Sequence, residues 1–356
     1  MKKVAIIGVV GVPANYGGFE TLVENIIGEN ASEDVEYTVF CSSRMYEEQL
    51  ETYKGAKLKY IGLKANGMQS MLYDIVAMTR TSNKYDAALV LGVSGCVFLP
   101  VFRLWFKNRL IVNIDGLEHQ RGKWSGFAKW FLRKSEAMAL KCADVVVADN
   151  KGIQDYVTAT YQKPSALIAY GGDHVERKVS ESKAAWILKH YGVGKDRFSV
   201  SVCRIEPENN CHLILEAFAR TGQKLVYIGN WEQNEYGREL KRRYAGFANI
   251  NIHSPEYDLD SLYVLRSNAA LYIHGHSAGG TNPSLVEAMF FGKPILAFDA
   301  VYNRATTDNQ AYYFKDCDQL VQLLQQDGLD GAAMRELAHK KYIWKHIASQ
   351  YEELYG

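Results

Sequence analysis

The chain has 356 residues, 47% hydrophobic and 23% charged, with 41 Lys plus Arg against 40 Asp plus Glu and a net charge of +1. That balance excludes a disordered, collagen-like or coiled-coil chain and leaves a globular protein of about two domains. It also excludes nucleic-acid binding by bulk charge, so an electrostatic partner must meet a local patch.

The apolar run after Met1-Lys2-Lys3 is too short for a signal peptide and reads as a strand over 4–9. A helix follows over 18–27, then strands over 37–41, 87–91, 110–114, 145–148 and 166–170. Gly171-Gly172-Asp173 closes this series, and a polar helical stretch over 177–189 leads into a second. Its strands are predicted at 198–202, 224–228, 250–252, 270–273 and 294–298, with helices at 210–220, 235–244, 260–267 and 284–291. Two such βαβα series predict an α/β chain of two Rossmann-like domains, 1–172 and 173–342, with parallel sheets covered by helices on both faces. Ligands of such sheets bind at the carboxyl ends of the strands, here expected to face an interdomain cleft. No apolar window is long enough to span a membrane. Cys41, Cys96, Cys142, Cys203, Cys211 and Cys317 form no C-x-x-C pair and read as reduced thiols of a cytoplasmic protein.

Three stretches carry candidate chemistry. The loop after the first strand, Gly8 through Glu20, holds Gly17-Gly18 and offers backbone amides to an anion. It lacks G-x-G-x-x-G spacing, and the second strand ends Phe40-Cys41-Ser42-Ser43 without a ribose-binding acid, which disfavours a dinucleotide enzyme. A tight turn with no ligand fits it equally well. The second stretch, His274 through Met289, runs from a strand through Gly279-Gly280-Thr281-Asn282 into a helix, with Pro283 suited to the first helical position. A diphosphate fits there, while the apolar flanks of Glu287 require it to find a partner. Third, Arg204 follows strand 198–202 and is placed for phosphate, although pairing with Glu206 or Glu208 explains it in isolation.

Together these features resemble glycosyltransferase family 4, retaining sugar-nucleotide transferases of the GT-B fold. Glu287 and the tail Phe291-Gly292-Lys293-Pro294 match the second Glu and G-x-P of the family's E-x7-E segment, while Gly279 stands at the first Glu. Arg204 matches the Arg of an Arg-x4-Lys pair, and Asn209 stands where the Lys is expected. Arg304 is the candidate replacement cation. Both departures, with the blocks Pro13 to Thr21, Asn113 to Glu118, Arg204 to Asn210 and Gly279 to Ala288, resemble bacterial capsule and surface-polysaccharide rhamnosyltransferases. The resemblance implies a dTDP-L-rhamnose donor and a lipid-linked saccharide acceptor, with no cofactor or metal. It implies donor binding by Gly17, Gly18, Arg204, Gly279, Gly280, Thr281, Asn282, Ser284, Leu285, Glu287 and Arg304. It places acceptor binding in the first domain, donor binding in the second, and a C-terminal helix over 343–356 packing back on the first.

Arg204, the 279–282 amides and the helix at Ser284 are expected to stabilise charge on the leaving diphosphate. Asp115 or His119 is the candidate to orient the acceptor hydroxyl. Alternatively, Asp115 is a cap or turn residue and His119 a solvated loop histidine. His274 and His276 lack a third metal ligand nearby in sequence, and Asp258-Leu259-Asp260 and Asp316-Cys317-Asp318 read as helix caps. In the basic segment 121–134, Trp124, Phe127, Ala128, Phe131 and Leu132 share one helical face, with Trp130 beside them. Such a segment suits either peripheral contact with the cytoplasmic face of the inner membrane or a core-facing helix with a basic rim. The rival functions are a non-catalytic sugar-nucleotide sensor or assembly partner and a sugar-nucleotide 2-epimerase. No nucleic-acid partner is expected.

Overall fold

A computed structural model describes residues 1–15, 17–28, 32–117, 119 and 126–356. The chain forms two compact units, Met1–Tyr170 with Trp344–Gly356, and Gly171–Ile343.

The first unit runs β1 (Lys2–Ile7), α1 (Gly18–Ile26), β2 (Val35–Ser42), β3 (Thr52–Tyr53), β4 (Ala56–Ile61), α2 (Ser70–Thr79), β5 (Ala87–Leu91), α3 (Leu99–Phe102), β6 (Arg109–Asn113), α4 (Gly126–Cys142), β7 (Val145–Ala148), α5 (Lys151–Tyr161) and β8 (Ala166–Leu167). The strand order is β3-β4-β2-β1-β5-β6-β7-β8. In β1, Val4 and Ile6 are as buried as Ala5 and Ile7, so both faces of the sheet are covered. Gly8, with φ +97°, ends β1 before the predicted residue 9, and β8 stops at Leu167 rather than 170.

The sheet is not wholly parallel. β3 and β4 are antiparallel, paired Thr52 to Lys57 and Tyr53 to Ala56. The two residues between them, Lys54 (φ 46°) and Gly55 (φ 81°), have the left-handed backbone that a tight hairpin needs. The sequence reading missed this hairpin because Lys57 and Lys59 interrupt the apolar pattern of β4.

The second unit runs α6 (Glu181–His190), β9 (Ser199–Val202), α7 (Cys211–Thr221), β10 (Leu225–Ile228), α8 (Glu235–Tyr244), β11 (Ile250–His253), α9 (Leu259–Asn268), β12 (Leu271–His274), α10 (Pro283–Met289), β13 (Ile295–Phe298), α11 (Val301–Thr306), β14 (Tyr312–Phe314), α12 (Cys317–Leu324) and α13 (Ala332–Lys341). Its sheet is parallel throughout, in the order β11-β10-β9-β12-β13-β14. Asp258 and Asp316 cap α9 and α12 by accepting from the Ser261 and Gln319 amides. α6 begins at Glu181, after its cap Ser180, so Arg177 lies outside the helix.

The last helix, α14 (Trp344–Leu354), belongs to the first unit. Trp344, Ile347, Ala348 and Tyr351 enter the same core as Leu22, Val23 and Ile26 of α1. The Asn113 side chain donates to Tyr351 Oη at 2.7 Å, which anchors the end of β6.

Candidate functional site

In the second unit, the loops after β9 and β12 form one block. An ideal Cβ on Gly275 would lie 2.1 Å from the Asn209 carbonyl oxygen, so the two backbones touch where only glycine fits. The Asn210 side chain donates to the Gly275 carbonyl at 2.9 Å, and the Ser277 amide donates to the Glu208 carbonyl at 2.9 Å. Asn209, where a lysine was expected, is buried and donates to the Arg204 carbonyl at 2.6 Å. Its side chain is a strut between loops. Arg204 itself is exposed, and among the described residues it pairs with neither Glu206 nor Glu208.

The glycine loop continues through Gly279 (φ 110°), half-buried Gly280 and buried Thr281 into α10. Asn282 caps the helix, accepting from the Ser284 amide at 3.0 Å and its hydroxyl at 2.8 Å, with Pro283 in the first turn. Leu285 turns its side chain into the core, which leaves only its backbone available to a ligand.

Glu287 is the charged centre of this block. Its side chain is 16% exposed and accepts from Arg266 at 2.6 Å, with His174 Nε2 3.4 Å from its other oxygen. Burial pushes the Glu287 carboxyl up, but Arg266 and His174 outweigh it and hold the group at about 2. Arg266 is 4% exposed, and its Nε has no partner among the described residues. Sequence reasoning required a partner for Glu287 but named neither Arg266 nor His174. Burial at the end of β12 holds His274 neutral, at about 3. Arg304, on α11, is paired with Asp299 and stacked 4.1 Å over the Tyr313 ring, so a diphosphate there would compete with Asp299.

The first unit gathers its candidates at the carboxyl ends of β1 and β6. Gly17 precedes α1, and Gly18 is its first residue. A Cβ on Gly17 would come within 3.1 Å of Glu20 Oε2. Buried Glu20 accepts from the Val10 amide at 2.7 Å. Burial raises its pKa against three backbone hydrogen bonds, and the Asp115 charge adds to the rise. Asp115 has φ +59°, in the left-handed region, and its amide donates to Asn113 Oδ1 at 2.9 Å. β6 therefore ends at Asn113, and Asp115 sits in a strained turn whose anchor is Asn113.

His119 Nδ1 lies 3.1 Å from Glu136 Oε2 on α4, and its side chain is 12% exposed. It is therefore not a solvated loop histidine. Glu136, which the sequence reading missed, is 2% exposed, and its other oxygen accepts from the Tyr156 and Tyr161 hydroxyls.

The aromatic face predicted on α4 divides. Leu132, Ser135, Glu136, Ala139 and Leu140 form the inward stripe, and Phe131 is half-buried beside it. Phe127 and Trp130 point away, 76% and 57% exposed, with rings stacked 6.0 Å apart. Trp124, also assigned to this face, lies outside the described residues, as do Tyr16 and Glu118 of the quoted motifs. No described helix is long and apolar enough to cross a membrane.

Comparisons with solved structures place this architecture. Sucrose-phosphate synthase from Thermosynechococcus elongatus superposes with a TM-score of 0.82 at 17% identity, over 100% of this chain and 98% of that one. Anabaena HepE in complex with UDP-glucose matches with a TM-score of 0.76 at 15% identity, over 99% and 98% of the two chains. A putative UDP-N-acetylglucosamine 2-epimerase from Listeria monocytogenes matches with a TM-score of 0.60 at 14% identity, over 98% and 94%.

The fold is GT-B.

At the family level, residues 184–324 match glycosyl transferases group 1, and residues 1–173 match a domain of unknown function (DUF1972). No curated protein sequence matches the chain. The group 1 match corrects the family 4 assignment, and no comparison supports its narrower rhamnosyltransferase form. The physical reason lies in the motifs. A glycine loop, a helix carrying Glu287 and an arginine after β9 are an anion-and-hydroxyl cradle that the GT-B architecture can build in many sequences.

Proposed function

We propose that this protein transfers a sugar from a nucleotide-sugar donor to an acceptor hydroxyl. The observation that carries the reading is Glu287, clamped by Arg266 and His174 behind the glycine loop. A carboxylate held ionised by two partners is an acceptor-only group with lone pairs to spare, suited to the hydroxyls of a ribose. Exposed Arg204, on the adjoining loop, supplies positive charge for a diphosphate. The group 1 match over this unit and the UDP-glucose bound by HepE support the same ligand class.

In this reading the bond from the anomeric carbon to the phosphate oxygen breaks through an oxocarbenium-like transition state. The acceptor oxygen bonds to that carbon on the same face, and the acceptor proton passes to the leaving phosphate oxygen. Arg204 and the 279–282 amides stabilise the charge that develops on the diphosphate. Asp115 or His119, in the first unit, orients the acceptor hydroxyl. A lipid-linked acceptor accords with exposed Phe127 and Trp130 on a helix that also carries Lys129, Arg133 and Lys134, a combination suited to an anionic membrane surface.

Calorimetry of the full chain with dTDP-L-rhamnose, UDP-glucose, UDP-N-acetylglucosamine and GDP-mannose tests the donor. Selective binding of one of them supports the reading and names the donor. dTDP-L-rhamnose, the donor for L-rhamnose transfer onto a lipid-linked saccharide, is one arm of that screen. Arg204→Ala is expected to weaken binding of whichever donor is selected. Binding without turnover in the presence of acceptor favours the sensor. Acceptor-free conversion of UDP-N-acetylglucosamine favours the epimerase. Folded protein that binds none of the four overturns the proposal.

A further inference from the structure

The Glu136 carboxylate is fully engaged inside the first unit. Tyr156 Oη donates to its Oε1 at 2.9 Å and Tyr161 Oη at 2.8 Å. Burial, then Glu136 itself, pushes both phenols upward in pKa, so each keeps its proton and each is a donor. Oε1 is therefore filled by two hydroxyls. Oε2 is left facing His119 Nδ1 at 3.1 Å. A carboxylate can only accept, so the ring proton must reside on Nδ1. The ring is held further by Tyr156, whose centroid lies 6.0 Å away. Among the described residues, Nε2 has no hydrogen-bond partner.

We propose that Glu136 is a positioning residue that locks His119 with its proton on Nδ1, so that Nε2 presents a lone pair to a hydroxyl of the saccharide acceptor beside the attacking one, whose own proton goes to the leaving phosphate. This rests on the transfer reading above. It assigns a function to a buried acid that helix periodicity alone makes look structural. It also explains why two tyrosines, from the middle and the C-terminal end of one helix, converge on a single oxygen. A buried carboxylate behind a histidine is a recurrent way to set tautomer and ring orientation.

The test begins with the full-length wild-type protein, labelled with 15N in its histidine rings. Long-range proton–nitrogen spectra are expected to show His119 with a protonated Nδ1 and a bare Nε2. In Glu136→Gln, the amide oxygen stays with the two phenols and the amide N–H2 faces the ring. The His119 proton is then expected to move to Nε2. With donor and acceptor present, the same variant is expected to lose kcat by roughly 100-fold while its donor Kd stays unchanged. A wild-type spectrum with the proton on Nε2 overturns the proposal without any variant. So does a Glu136→Gln protein whose tautomer and rate match wild type. If the tautomer moves but His119→Ala transfers sugar at the wild-type rate, the acceptor role falls and donor binding stands. If the wild type transfers no sugar at all, the transfer reading falls, and the spectra still decide what Glu136 does to His119.

Discussion

The Asn209 side-chain oxygen lies 2.6 Å from His276 Nδ1, and this contact joins the loop after β9 to the loop after β12. Because the Asn209 amide nitrogen already donates to the Arg204 carbonyl, the strut also sets the backbone that presents Arg204. Asn209→Ala should cost about 1–3 kcal/mol by leaving buried polar groups unpaired, and should weaken donor binding through misplacement of Arg204. Asn209→Lys, which supplies the cation expected from the sequence, should lower the melting temperature and not improve affinity, because the position is buried. Melting curves and donor calorimetry on both variants check this. A lysine variant with normal stability and tighter binding would show that the strut is dispensable.

Glu287 should leave a signature in acid. Its carboxyl titrates at about 2 in the folded chain against 4.5 for the ordinary group. Its folded-state value is depressed, so its stabilisation is complete above about pH 4.5 and is lost as pH falls toward 2. The size is on the order of 3 kcal/mol. Glu287→Gln should therefore be less stable than wild type at pH 6, and the gap should close toward pH 2. Glu287→Ala should be worse at pH 6, by roughly 3–5 kcal/mol, since it strands buried Arg266. Denaturant titrations at pH 6, 4 and 3 measure the gap, and a gap independent of pH would contradict the pairing.

The fold was legible where burial is uniform, and the site where it lies close to strand ends. β5 and β7 coincide with their predicted limits because each is an apolar run buried along most or all of its length. β4 was not legible, since its lysines at 57 and 59 mask an edge strand, and β14 is three residues long. Arg204 and Glu287 could be picked out because each follows a strand or glycine loop. Their neighbours could not. Arg266 lies 21 residues from Glu287, and Glu136 reads as an ordinary helical acid until Tyr156 and Tyr161 converge on it. Side-chain pairing across elements carries no local pattern, so it becomes visible only in three dimensions.

Asp74 is a second acid with a testable pH dependence, working in the opposite direction. It is buried on α2, and burial pushes its carboxyl to about 8, only partly opposed by a hydrogen bond from the Gly95 backbone. An unfolded aspartate releases its proton near 3.8, whereas the folded chain keeps it to about 8. Stability is therefore lost as pH rises through that window. Asp74→Asn should match wild type near pH 4 and exceed it by a growing margin up to pH 8, on the order of 5 kcal/mol there. Gly95→Ala should destabilise at every pH by about 1–3 kcal/mol, because its Cβ would fall 2.3 Å from the Asp74 Cβ. Melting curves of the three proteins at pH 5 and pH 8 separate the two effects, and an asparagine variant no better at pH 8 than at pH 5 would refute the titration.

The stacked pair Phe127 and Trp130 bears on the membrane reading. Both rings are exposed, and exposed Arg133 and Lys134 follow them on the same helix. A protein with a net charge of +1 has no bulk attraction to lipid, so binding must come from this patch combining apolar insertion with local charge. Vesicles rich in phosphatidylglycerol should bind the wild-type chain, and vesicles of phosphatidylcholine alone should not. Phe127→Glu with Trp130→Glu should reduce that binding at least roughly tenfold without lowering the melting temperature, since neither ring belongs to the inward stripe of α4. Arg133→Glu with Lys134→Glu should reduce it as well, and more so at low salt than at high salt. Sedimentation with vesicles at two salt concentrations makes the measurement. Equal binding by the aromatic variant and wild type would assign the exposed rings to something other than a lipid surface.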